Sequence, residues 1–187
     1  NLVGLKALIE ASDLAGENVT AEKVGFILGP RLNACGRMGH AKDAVEMLTV
    51  AGPARAMEIA RSLSRLNDDR RRTERKIFDQ ACEAAEQAGM TRDDRRAIVL
   101  AADEWHAGVV GIVCSRLVER FPRPTILMQR HDGQCHGSGR SIDGFNLHDG
   151  LAACAGMLTK FGGHEMAAGL AMDAARLDEF AEAFTVH

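Results

Sequence analysis

Tyrosine is missing from this 187-residue chain, tryptophan occurs once, and aromatic residues reach only 4%. Apolar residues still make up 46%, so a core is available, built mainly from Ala, Leu, Val, Ile and Met. No run of 18 apolar residues occurs, so no membrane span is predicted. The start, NLVGLKALIEASDLAGEN, has no basic cluster ahead of a long apolar stretch and does not read as a secretory signal. It also lacks an initiator Met, which fits a piece of a longer protein or a processed terminus. A formal net charge of −3 excludes a generally basic coat but leaves room for a local basic groove. The five cysteines, Cys35, Cys82, Cys114, Cys135 and Cys154, include no C-x-x-C pair. Their odd number and wide spacing predict free thiols in a reducing cytoplasm, not a disulfide scaffold or a zinc site.

The first half reads as helical. Leu2, Leu5, Leu8 and Ile9 recur at helical spacing, and Val24, Ile27 and Leu28 predict a short second helix. Residues 29–39, GPRLNACGRMG, hold Pro30, Asn33 and the glycines Gly29, Gly36 and Gly39, and read as a loop. A helix is predicted over 40–49. Pro53 suits the first turn of another, and no Gly or Pro interrupts the chain from there to Ala88. That helix would extend roughly 50 Å, enough to join two bodies, with Gly89 as its stop. The second half alternates. Strands are predicted over 96–103, 123–129, 133–141 and 167–172, with helices over 106–121, 146–154 and 177–184. This pattern predicts an α/β fold.

Five stretches carry polar chemistry, each with a plainer alternative. In GSGRS, residues 137–141, glycines could bare main-chain amides to an anion, with Arg140 and the Ser138 and Ser141 hydroxyls adding donors. The alternative is a glycine-rich strand end with a solvated Arg. In FGGHEMAAGL, Gly162 and Gly163 permit a tight turn before His164, which could meet a phosphate, move a proton or only cap a turn. Arg31, Arg37 and His40 flank a predicted helix start, an anion site or a set of paired surface charges. Trp105 and His106 sit where a strand turns into a helix, a common ligand position in open sheets. Gly108, Gly111 and Ser115 share one face of that helix and read as close packing. Residues 61–76 hold seven Arg or Lys against three Asp or Glu, a solvated helix face or a track for a polyanion. No D-H-H, H-x-H-x-D or H-E-x-x-H set occurs. The chain therefore reads as the substrate-gripping part of a site rather than a metal-bearing one.

Taken in order, RLNACGRMG, the long helix with LNDDRRRTE, WHAGVVGIVCSRLVERFPRPTI, GSGRSIDGFNLHDGL and FGGHEMAAGL resemble the RecJ family. These are single-strand-specific 5′→3′ DNA exonucleases of the DHH phosphoesterase superfamily. The resemblance covers nearly the whole chain. It implies that residues 1–52 are the helical tail of a DHH domain and 53–89 a connector helix. Residues 90–187 would be a DHHA1-like substrate-binding domain with a mixed sheet. It implies Mn2+ or Mg2+ held by DHH residues outside this segment, with none bound here. Single-stranded DNA would lie between DHH and DHHA1, with single-strand-binding protein and a helicase as partners and no membrane association. By motif position, Arg37, Ser138, Gly139, Arg140, Ser141, Gly162 and Gly163 would grip a DNA phosphate. His164 would be catalytic, facing the scissile phosphate. Arg31, Trp105 and His106 are further candidates. Some DHHA1 domains have a longer glycine run before the His than the two found here. Two alternatives remain: a relative that cleaves short RNA or cyclic dinucleotides, and a non-catalytic phosphate- or nucleotide-binding module.

Overall fold

The structure is a computed structural model that describes residues 2–186. The chain forms two compact units, Asn1–Arg72 and Thr73–His187. In the first, α1 (Leu2–Glu10) is followed by α2 (Ala21–Lys23), a π-helical stretch (Val24–Leu28), α3 (Gly29–Met38) and α4 (Ala41–Thr49). The long α5 (Pro53–Gln87) contributes its beginning to this unit. Ala56, Ile59, Ala60 and Leu63 of α5 recur at helical spacing and join Leu8, Leu28, Cys35 and Met47 in one core.

The expected loop over 29–39 is a helix for all but its last residue. Only Gly29 separates Pro30 from the π-helical stretch, so its missing N–H removes a donor from a continuous helical run. Ala34 and Cys35 are buried, so tertiary packing outweighs the poor helix propensity of the glycines.

The long helix ends as its sequence predicts. Gly89 takes φ +65°, its N–H donates to the Glu86 carbonyl at 3.0 Å, and the Met90 N–H donates to the Ala85 carbonyl at 2.8 Å. This is a Schellman closure, which favours glycine at the left-handed position. Beyond it the Arg123 guanidinium donates to the carbonyls of Met90, Thr91, Arg92 and Arg95 at 2.8–3.3 Å, fixing the entry into the sheet.

The second unit holds β1 (Ile98–Ala102), α6 (Ala107–Arg120), β2 (Thr125–His131), β3 (Gln134–Arg140), α7 (Leu147–Ala153), β4 (Lys160–Gly163), β5 (Ala167–Asp173) and α8 (Leu177–Val186). The sheet order is β1-β2-β3-β5-β4. β1 and β2 are parallel, joined through α6, and every other pair is antiparallel. This is the mixed α/β architecture the alternating pattern predicts. One sheet face packs Val99, Ile126, Met128, Cys135, Leu170 and Met172 against Leu147 and Leu151 of α7 and Phe180 and Phe184 of α8. On the other face α6 covers β2 and β3.

All five cysteines are free and buried. Burial pushes the Cys114 thiol up to about 12, outweighing a backbone contact at Leu127 and the Arg140 charge that pull it down. Burial also raises Cys82, Cys135 and Cys154. A folded thiol with a raised pKa contributes stability that is complete below the unfolded pKa, near 9, and is lost as pH rises toward the folded value. Urea unfolding should therefore show stability falling between about pH 9 and 11, by up to about 1.4 kcal/mol per pH unit for each fully shifted thiol. A flat alkaline profile would contradict this burial.

Candidate functional site

β3 is a two-faced strand. An ideal Cβ placed on Gly111 of α6 would lie 3.2 Å from Ser138 Oγ and 3.3 Å from Arg140 Nη2, so both side chains turn toward α6. His136 shares that face by the period of two. A Cβ on Gly137 would meet Met128 Cγ at 2.3 Å, and one on Gly139 would meet Leu147 Cδ2 at 3.0 Å. Those glycines serve packing on the opposite face. The expectation that GSGRS bares main-chain amides to an anion is corrected here. Residues 137–140 are paired with β2 on one side and β5 on the other, so their amides belong to the ladders. The polar chemistry of this stretch resides in side chains.

The reading of Gly111 as a close-packing residue holds, because it lets α6 approach Ser138 and Arg140. The Cys114 thiol donates to the Ser138 carbonyl at 3.1 Å, a second link between helix and strand. Arg140 Nη1 donates to the Gly139 carbonyl at 2.7 Å. Among the described residues no carboxylate forms an ion pair with Arg140.

Arg140 and His164 reach the same end of the sheet. Ala167 pairs with Arg140 across β3–β5, and its carbonyl accepts the His164 main-chain N–H at 2.8 Å. Their Cα atoms are thus two strand spacings apart, roughly 10 Å. The hairpin carrying the exposed His164 is held by the chain that follows Arg140. The Ser141 N–H donates to the Met166 carbonyl at 3.0 Å, and the Leu147 N–H donates to the Glu165 carbonyl at 2.9 Å. Ser141 is buried, and its hydroxyl donates to the Phe145 carbonyl at 2.6 Å, closing the intervening turn. Its geometry is that of a residue that positions the hairpin. Gly162 and Gly163 lie in edge strand β4. Gly163 takes φ 150°, and a Cβ there would stand 2.4 Å from the Ala167 carbonyl oxygen, whereas one on Gly162 meets nothing within 4 Å.

The remaining candidates fall elsewhere. Trp105 is 2% exposed and its indole N–H donates to Gln80 Oε1 at 3.1 Å, an anchor between α5 and the β1–α6 turn. His106 caps α6 by accepting the Gly108 N–H on Nδ1 at 3.1 Å, which directs its ring proton to Nε2. Arg31 donates to Ser64 Oγ at 3.2 Å and to the Ile27 carbonyl at 2.9 Å, within the first unit's packing. Arg37 is exposed on the last turn of α3, in that same unit. In the basic stretch Arg72 pairs with Asp69, Arg70 donates to Asn67 Oδ1, and Glu74 receives Arg116 at 3.3 Å. Of these contacts only Arg72–Asp69 pairs opposite charges within the stretch. Among the described residues no group of three or more His, Cys, Asp or Glu could hold a metal ion. No helix there is long and apolar enough to cross a membrane.

With this geometry in view, comparison with known proteins is specific. Residues 94–185 match the DHHA1 domain. Its relatives narrow the class. The single-stranded-DNA-specific exonuclease RecJ of Bacillus subtilis (strain 168) is 43% identical over 97% of this chain, which spans 24% of that protein. RecJ of Dickeya dadantii (strain 3937) is 41% identical, again over 97% of this chain and 32% of the relative. The crystal structure of Thermus thermophilus RecJ in complex with Mg2+ superimposes with a TM-score of 0.85. It shows 34% identity and covers 98% of this chain and 28% of that one. The chain thus corresponds to a DHHA1-bearing segment of RecJ and spans about a quarter to a third of these relatives.

Two glycines test the faces assigned to the sheet. Gly137→Ala should destabilise by about 1–3 kcal/mol through overpacking against Met128 and the Leu127 carbonyl. Gly162→Ala should be neutral or stabilise slightly, since its Cβ points into open space. Urea midpoints of the two variants check this; equal losses would refute the assignment.

Proposed function

We propose that this chain is the substrate-gripping portion of a metal-dependent, single-strand-specific 5′→3′ DNA exonuclease of the RecJ type. Its setting would be DNA repair and recombination in the cytoplasm. The observation that carries the reading is the uncompensated Arg140 guanidinium beside the His164 hairpin, with Ser138 on the same face. A planar fork of donors without a carboxylate partner suits phosphate oxygens. Ser138 adds a hydroxyl donor. The His164 imidazole supplies a donor to charge developing on a phosphate oxygen. Within the first unit, Arg37 would be a phosphate contact in its own right. In this reading residues 1–52 end a DHH domain, 53–89 connect, and 90–187 bind substrate.

A divalent ion, Mn2+ or Mg2+, supplies water activation in such chemistry. The residues described here do not fit that ion, so no hydrolytic step is assigned to this chain. Its task is to hold and orient DNA and, through His164, to donate to the charge that develops on the phosphate. Single-stranded DNA is the proposed partner, with single-strand-binding protein and a helicase following from the same resemblance. The names of the relatives favour this reading over a phosphodiesterase for short RNA or cyclic dinucleotides and over a non-catalytic nucleotide-binding module.

Arg140→Ala should weaken binding of a single-stranded oligonucleotide about tenfold. It should also make the slope of log affinity against log salt shallower by about 0.7. Unchanged affinity and slope would refute the grip. In the full-length enzyme, His164→Ala should lower kcat far more than it raises KM. A loss confined to KM would make His164 a binding residue only.

A further inference from the structure

The register of β3, β5 and β4 sets up more than one polar row on the sheet face that α6 leaves open. His136 pairs with Ala171, and Ala171 pairs with Lys160. Directly opposed residues present their side chains on one face. The next row on that face is Ser138, Gly169 and Gly162, and the next is Arg140 and Ala167 followed by His164. Small residues thus form a floor between a β3 wall of His136, Ser138 and Arg140 and a β4 side bearing Lys160 and His164. A Cβ on Gly162 would meet nothing within 4 Å, and one on Gly169 only the Gly137 carbonyl oxygen at 3.8 Å, so no side chain fills the trough. A cavity of about 390 Å³ lies over its His136–Lys160 end, lined by Ala107, His136, Lys160, Gly162, Gly169 and Ala171.

We infer that His136 and Lys160 form a second phosphate subsite, one step along the same nucleic-acid strand from the phosphate held by Ser138 and Arg140. This inference rests on the phosphate-gripping reading above. Both side chains are exposed, and no carboxylate pairs with Lys160 among the described residues. Three acids at the ends of β1 and β5 have partners of their own. Asp173 caps the Ala175 N–H at 2.9 Å, Asp103 holds Arg130 at 2.6 Å, and Glu104 accepts from Gln80 at 3.1 Å. Successive same-face rows are about 6.8 Å apart, comparable to neighbouring phosphates of an extended single strand. The glycine floor lets the sugar–phosphate chain approach the sheet. An imidazole and an ammonium on opposite walls then meet it from both sides.

The test titrates this chain with 5′-phosphorylated thymidine mononucleotide and tetranucleotide. Lys160→Gln should weaken tetranucleotide binding about fivefold and make its salt slope shallower by about 0.7, leaving mononucleotide binding unchanged. His136→Gln should weaken the tetranucleotide in the same selective way. Arg140→Ala should weaken both ligands. If Arg140→Ala weakens both but Lys160→Gln changes neither affinity nor slope for the tetranucleotide, the second subsite is overturned while the first stands. An equal loss for both ligands in Lys160→Gln also overturns it, by merging the two rows into one site. If the unsubstituted chain binds neither ligand, the phosphate-gripping reading fails and takes the subsite with it.

Discussion

The constraint on which the site depends is the antiparallel register of β5 between β3 and β4. Ala167, Gly169 and Ala171 each sit between a β3 partner and a neighbour on or beside β4. That register is set from the other side of the sheet. Ala168, Leu170 and Met172 are buried against α7 and α8, as are Cys135 on β3 and Phe161 at the margin of that core. A slip of one residue would send these side chains toward the open face and turn His136, Ser138 and Arg140 into the core. Burial of an apolar face therefore fixes the polar face with no hydrogen bond among the functional side chains themselves.

The approach of α6 adds a second constraint. With glycine at position 111 the helix lies against Ser138 and Arg140, and the Cys114 thiol meets the Ser138 carbonyl. A neutral thiol there leaves the guanidinium charge uncompensated, while a carboxylate would have neutralised it. A half-buried cation with no carboxylate partner among the described residues is an incomplete arrangement, since charged groups removed from water normally gain a counter-charge. In the proposed reading a phosphate would complete it.

Much of the fold was legible because its signals are periodic. The long helix runs from Pro53 to a glycine stop, and α6, β1, β2, β5 and α8 follow from runs of one period. The helix over 29–38 was not legible, because glycine and proline content misled where burial of Ala34 and Cys35 decides. At the site, the residue types of GSGRS and FGGH suggest an anion, but the amides read into GSGRS are taken up by the ladders, whereas Gly162 keeps the open approach read into FGGH. The informative signal was alternation. In Q-C-H-G-S-G-R every second residue is polar, and in K-F-G-G-H Lys160, Gly162 and His164 keep the same step. Read with a period of two, those stretches bring in His136 and Lys160, which motif reading passed over. Ser141 and Trp105 could not be sorted from sequence, since their polar atoms are committed to Phe145 and Gln80, partners that only the folded chain supplies.

The difference between an amide nest and a strand face bears on what can be recognised. A nest curls main-chain amides around one anion and has no direction of extension. A strand face repeats every two residues, so a site built on it can be lengthened by another row without changing the backbone. Small residues down the middle keep the floor low, and cations along the edges follow a charged polymer. Recognition that begins with Ser138 and Arg140 and continues through His136 and Lys160 would favour a chain of phosphates over a lone one. The preference for polymer over monomer would then reside in the pleat of the sheet itself.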